Sequence, residues 1–300
     1  MNQAATLKQW RDMHKGRIGP INNLNQKTLS KTVMHPRVLS FTSGKGGVGK
    51  TNVVANLALA LSQCGKKVML LDADLGLANI DVLLGLVPKY NIKHVFSGQM
   101  RLQDVLIKGP GGILVLPAGS GIPELVSLTD GEKLFLLTEM EELDDKIDIL
   151  LIDTPAGISD NVVYFNLAAQ GRVVILTPEP TSITDAYALI KVLANKHQIK
   201  SFYILINWVK DSNEAQKVFR QLAAVVDRFL GSLSLDFIGY IPHDDAIPKA
   251  VRKQKAVLDL YPNALSSKGF INLAQSLLRE GENSHVDGNI KFFWKHLLRV

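Results

Sequence analysis

Residues 44–51, Gly44-Lys45-Gly46-Gly47-Val48-Gly49-Lys50-Thr51, follow the spacing G-x-x-x-x-G-K-[ST], and few segments this short restrict a fold so tightly. Glycines let successive N–H groups turn inward around phosphate oxygens, Lys50 supplies a point charge, and Thr51 offers a hydroxyl to Mg²⁺. The flanks suit that use. Val38-Leu39-Ser40-Phe41-Thr42 is an apolar β-type run, and Lys50 to Gln63 reads as a helix opening at the phosphate. A plain glycine-rich turn is the competing reading, and a strand before with a helix after disfavours it. The whole segment Gly44 to Asn52 is the candidate nucleotide cradle. Lys45 adds a second cation where ordinary loops of this kind tolerate almost any residue, which points to a charge needed on a neighbouring molecule's nucleotide.

Apolar runs bounded by turn residues recur at 38–42, 67–72, 113–117, 147–152, 172–177, 202–206 and 235–241. Helical patterns lie between most of them, at 50–63, 131–144, 159–170, 182–198, 212–230 and 263–279. Alternation of this kind means βαβ crossovers, so the expected fold is α/β: a doubly wound, mostly parallel sheet with helices on both faces. Continuous runs such as Ile149-Leu150-Leu151-Ile152 suit central strands buried on both sides. The expected organisation is a short helix and linker at 1–36, one nucleotide-binding domain at 37–280, and a polar linker with a terminal helix at 281–300.

The net charge of +6 is unevenly spread. Residues 1–37 carry Lys8, Arg11, Lys15, Arg17, Lys27, Lys31 and Arg37 against Asp12 alone, and residues 290–300 add Lys291, Lys295 and Arg299. The body from 38 to 289 is therefore mildly acidic. Direct nucleic-acid binding by the body is not expected; the basic ends suit acidic partners or anionic surfaces. A lone cysteine, Cys64, excludes a disulfide framework or a cysteine-ligated cluster within one chain, and it is expected as a small buried hydrophobe. The amino end lacks an apolar leader core, and no run approaches the roughly 18 apolar residues of a membrane span, so a cytoplasmic location is expected.

Nucleotide hydrolysis needs a metal anchor and a group that positions water. Asp153 ends a buried run and heads Asp153-Thr154-Pro155-Ala156-Gly157, where a strand-end carboxylate beside the loop suits Mg²⁺ held through water, with Thr51 as the other metal residue. Asp72 closes another strand in Asp72-Ala73-Asp74-Leu75-Gly76-Leu77-Ala78-Asn79-Ile80-Asp81, and Asp74 would face the γ-phosphate and orient the attacking water. Asp81 reads as a helix-start or surface carboxylate. Asn207, at the end of Ile204-Leu205-Ile206, offers an amide to the adenine edge, although strand-end asparagines are also common turn residues. Pro242-His243-Asp244-Asp245 follows a further strand, and this segment would close over the base.

These segments resemble the MinD/ParA family of deviant Walker A ATPases: Gly44–Thr51 its signature loop, Asp72–Asp81 the first switch of the MinD branch, Asp153–Gly157 the second. The resemblance spans about residues 37–280. It implies a slow Mg²⁺-dependent ATPase that dimerises on ATP, with Lys45 reaching the partner's nucleotide, Lys50 and Thr51 acting in cis, and Asp74 positioning water. Within that branch, Asn2-Gln3-Ala4-Ala5-Thr6-Leu7-Lys8 is similar to the amino-terminal motif of the flagellar number regulators, the FlhG, FleN and YlxH proteins. There the motif stimulates the signal-recognition-particle-like GTPase FlhF, which makes Gln3, Leu7 and Lys8 the expected GTPase contacts. Asn2 and Lys8 depart from the family's Asp and Arg, and Lys lacks the planar fork.

At the other end, Ile290, Phe293, Trp294, Leu297 and Leu298 form one helical stripe beside a face of Lys291, Lys295 and Arg299. A basic amphipathic helix on the cytoplasmic face of the inner membrane is expected, with packing on the body as the alternative. A single short tail binds weakly, and two in one dimer gain by effective concentration. The expected function is a membrane-cycling ATPase that regulates flagellar number and placement. Its expected partners are FlhF, flagellar C-ring proteins or a flagellar transcription factor. A MinD-type septum-positioning ATPase and a non-catalytic ATP-dependent scaffold are the rivals.

Overall fold

β1 (Arg37–Ser43) and β5 (Ile149–Ala156) occupy the middle of an eight-stranded sheet, and both are buried on both faces. The computed structural model describes residues 36–73, 79–117, 139, 143, 146–231 and 233–283. Outward from the centre, β2 (Val68–Asp72), β4 (Leu114–Leu116) and β3 (Ile107–Lys108) extend one side. β6 (Gly171–Leu176), β7 (Ser201–Val209) and β8 (Ser234–Pro242) extend the other. Every pairing is parallel except β3 with β4.

Alternate residues of each strand feed two helical layers, as the period of two requires. Leu39 and Phe41 of β1 join the layer of α1 (Lys50–Gln63), while Val38 points to the opposite side. In chain order there follow α2 (Ile80–Leu83), α3 (Ile92–Phe96), α4 (Leu102–Val105), α5 (Asp160–Ala168), α6 (Pro180–His197) and α7 (Ser212–Leu230). α8 (Ala246–Arg252), α9 (Val257–Leu260) and α10 (Leu265–Asn283) complete the described chain. α1 and α8 to α10 cover one face; α3 to α7 cover the other. α1 is apolar nearly all round, since β-strands, α9 and α10 enclose it, and the Asn56 amide ties it to α9 by accepting from the Leu258 N–H. Arg172 caps α5 by donating to the carbonyls of Asn166, Ala169 and Gln170, which suits a cation at a helix C-terminus; burial lowers its pKa to about 10. Among the described residues no helix is long and apolar enough to cross a membrane.

The seven expected strands are present. β5 runs on through Ala156, and the antiparallel β3 was too short to show a period. The helix expected at 131–144 falls mainly outside the described residues, as do the amino-terminal motif and the terminal helix. Cys64 corrects an expectation: it is exposed. It follows the last turn of α1 and precedes Gly65 at φ 82°, so the chain leaves the surface there and the apolar stripe has ended.

Asp244 ties the loop after β8 to α10. Its carboxylate accepts from the Ala246 N–H, the Ser266 N–H and the Ser266 hydroxyl. Burial pushes this carboxyl up, but the bonds from Ser266, Ala246 and Leu265 outweigh it and hold the pKa below 3.8. A depressed folded value means the contribution is complete above the unfolded pKa and lost as pH falls through the folded one. Asp244→Ala should cost roughly 1 kcal/mol at neutral pH, read from the urea midpoint. The gap to wild type should close as pH is taken well below 3.8.

Candidate functional site

The loop Gly44–Thr51 emerges at the carboxyl edge of the sheet and is held from three sides. α6 approaches so closely that a Cβ on Gly44 would lie 2.1 Å from the Asp185 carbonyl oxygen, which leaves glycine as the residue that fits. From β7, the Asn207 Nδ2 donates to the Val48 carbonyl at 2.7 Å. From β5, the Gly157 N–H donates to the Ser43 carbonyl at 2.8 Å. Val48 itself is buried in the core. Gly47 and Gly49 take φ values of 78° and 82°, and Gly46 and Gly47 face open space, so the cradle is walled by backbone alone. α1 begins at Gly49 with no side-chain cap and no acidic residue in its first turn. Its free N–H groups are thus offered to an anion.

The two lysines diverge. Lys50 turns inward, its Nζ 2.6 Å from Asp153 Oδ1, with both side chains nearly buried. Lys45 reaches the start of α6, where it meets Glu179 Oε2 at 2.5 Å and the Thr181 hydroxyl at 3.2 Å, all at the surface. Pairing of that half-exposed kind contributes about 0–1 kcal/mol, so Lys45 is held lightly. Neither Glu179 nor Thr181 had a local signal; only the fold brings them to the loop.

Asp72 and Asp153 are partners in the β2–β5 register, both 2% exposed, and the Ala73 N–H donates to the Asp153 carbonyl. Asp72 Oδ2 accepts from the Asn79 and Ile80 N–H groups, pinning the start of α2 to the end of β2. Asp81 stands in the first turn of α2, the helix-start place expected of it. Asp74 lies outside the described residues, between Ala73 and Asn79. Gln3, Leu7, Lys8, Ile290, Phe293, Trp294, Leu297 and Leu298 also lie outside them.

Thr51 and Asn52 sit half-buried in the first turn of α1, and the Asn52 carbonyl accepts from Asn56. The Thr51 hydroxyl and the Asp153 carboxylate are hard-oxygen groups of the kind Mg²⁺ prefers, and they are the residues that would hold it beside a bound phosphate. Phosphate entering the cradle would compete with Asp153 for Lys50. Asn207 is 2% exposed, and its Oδ1 is buried without a hydrogen-bond partner. Beside it, Trp208 rests on Gly49, a residue the sequence reading passed over. Pro242 stands opposite Val209 in the β7–β8 ladder and packs toward Gly269 of α10, so its ring braces that helix.

Removing Lys50 should strand a buried carboxylate. Lys50→Ala is expected to cost about 3–5 kcal/mol of stability in the absence of nucleotide and to lose ATP affinity. Lys50→Met combined with Asp153→Leu should regain much of the stability and none of the affinity. Chemical denaturation and calorimetric titration separate the two effects.

Residues 39–257 match the CobQ/CobB/MinD/ParA nucleotide binding domain. Over 267 residues the chain is 45% identical to Antiactivator FleN of Pseudomonas aeruginosa, covering 89% of this chain and 95% of FleN. It is 32% identical to the flagellum site-determining protein YlxH of Helicobacter pylori, covering 93% and 95%. Among solved structures, the cell division ATPase MinD of Pyrococcus furiosus superposes with a TM-score of 0.65 at 25% identity, over 81% of this chain and 99% of MinD. With its phosphate loop, parallel sheet and strand-end aspartates, this chain belongs to the CobQ/CobB/MinD/ParA nucleotide-binding family.

Proposed function

We propose that this chain is an ATP-dependent, dimerising, membrane-cycling ATPase that regulates flagellar number and placement, acting with an FlhF-type GTPase. The divergence of the two lysines carries the reading. Lys50 is committed to its own cradle, while Lys45 is lightly held at the surface and free to be recruited by another triphosphate. ATP with Mg²⁺ at Thr51 and Asp153 pairs two copies through Lys45, and the pair presents two tails with the stripe Ile290, Phe293, Trp294, Leu297 and Leu298 to the anionic inner membrane. Water positioned by Asp74 attacks the γ-phosphate and the copies part. Similarity to FleN and YlxH supports the flagellar role, in which Gln3, Leu7 and Lys8 meet the GTPase. FleN is named an antiactivator, which favours contact with an activator over contact with C-ring proteins.

Likeness to a cell division MinD supports a second reading, septum positioning. Deleting residues 1–36 separates the two: altered flagellation without minicells fits the first, and minicells fit the second.

Sedimentation with ATP and anionic vesicles tests the cycle. Wild type should dimerise and pellet with vesicles in ATP and not in ADP. Lys45→Ala should stay monomeric, Asp74→Ala should stay dimeric and membrane-bound, and deletion of 290–300 should leave dimers in the supernatant. Wild type that remains monomeric in saturating ATP overturns the dimer; vesicle binding equal in ATP and ADP overturns the coupling.

A further inference from the structure

β7 ends with a break. Asn207 pairs with Ile241, Val209 with Pro242, and between them the ladder skips a residue. The residue displaced is Trp208, which takes a φ of 61° and leaves its side chain 38% exposed. A bulky residue in the left-handed region is an outlier that persists where its surroundings demand it, and such strain gathers at ligand clamps. The indole rests on the phosphate loop: a Cβ on Gly49 would lie 3.2 Å from its Cζ2 and 2.6 Å from the Asn207 Nδ2. The missing side chain of Gly49 thus admits both neighbours. Asn207, nine-tenths buried and more, spends its Nδ2 on the Val48 carbonyl and keeps its Oδ1 buried and unpartnered.

We propose that Trp208 is the stacking platform for the base of the nucleotide whose phosphates fill the loop. This rests on the nucleotide-binding reading and deepens it. An aromatic face accepts any base, because every base has a π face, so Trp208 supplies affinity for nucleosides over bare phosphate.

The test uses the full chain with Trp10→Phe and Trp294→Phe, which leaves Trp208 as its sole indole. Mg·ADP, Mg·GDP and Mg·pyrophosphate are titrated, with emission and calorimetry read together. Both nucleotides should change Trp208 emission, and pyrophosphate should leave it nearly constant. Trp208→Asn, which the left-handed backbone tolerates, should weaken ADP and GDP alike by about 5- to 100-fold and leave pyrophosphate affinity unchanged. Trp208→Phe should recover most of the loss. Unchanged ADP affinity in Trp208→Asn, or pyrophosphate affinity falling along with it, overturns the platform while the nucleotide site stands. A parent chain that binds neither ADP nor pyrophosphate overturns the nucleotide reading and the platform together.

Discussion

Lys50 and Asp153 meet at 2.6 Å where loop, β1 and β5 converge, and the state of the site turns on that contact. Two charges removed from water cost several kcal/mol each, so neither residue is tolerable there alone. The pair keeps the loop in register without ligand. It also leaves the loop's strongest cation already engaged, so phosphate must displace a carboxylate to claim it. Because Asp153 leads into the segment that ends at Gly157, and the Gly157 N–H is bonded to Ser43, any change of partner by Lys50 is felt at both ends of the loop. A carboxylate released in this way would be free to take up a metal as phosphate arrives.

Most of the framework was legible because central parallel strands are buried on both faces and read as largely apolar runs. The loop was legible because its chemistry demands fixed spacing. Contacts that depend on distant segments left no trace in the chain. The Lys45–Glu179 pair joins residues 134 apart, and nothing near Glu179 marks it apart from the proline that opens α6. Asn207 was read as a base contact from its place at a strand end. The fold adds that its amide nitrogen is spent on Val48, with the oxygen buried and unpartnered. Trp208 went unremarked because an aromatic in a strand reads as core until its dihedral is known. Cys64 was misplaced because helical periodicity does not say where the enclosing layer stops.

Close approach replaces side-chain chemistry around much of the loop. Gly44 yields to the backbone of α6, and Gly49 yields to β7, so two elements from the far half of the chain shape a cradle built in the near half. The sheet order makes this possible, since β6 and β7 follow β1 directly on one side. The helix that bounds the loop at Gly44 is thus the same one whose start holds Lys45. Movement of that helix would be felt by the inward and outward lysines at once.

α1 carries the phosphate loop at one end and the chain's only thiol at the other. Fourteen residues of helix put Cys64 about 20 Å from Thr51 and out in solvent. A maleimide dye attached there leaves the loop untouched. Mixed donor- and acceptor-labelled copies then make energy transfer a direct gauge of how two molecules come together and separate.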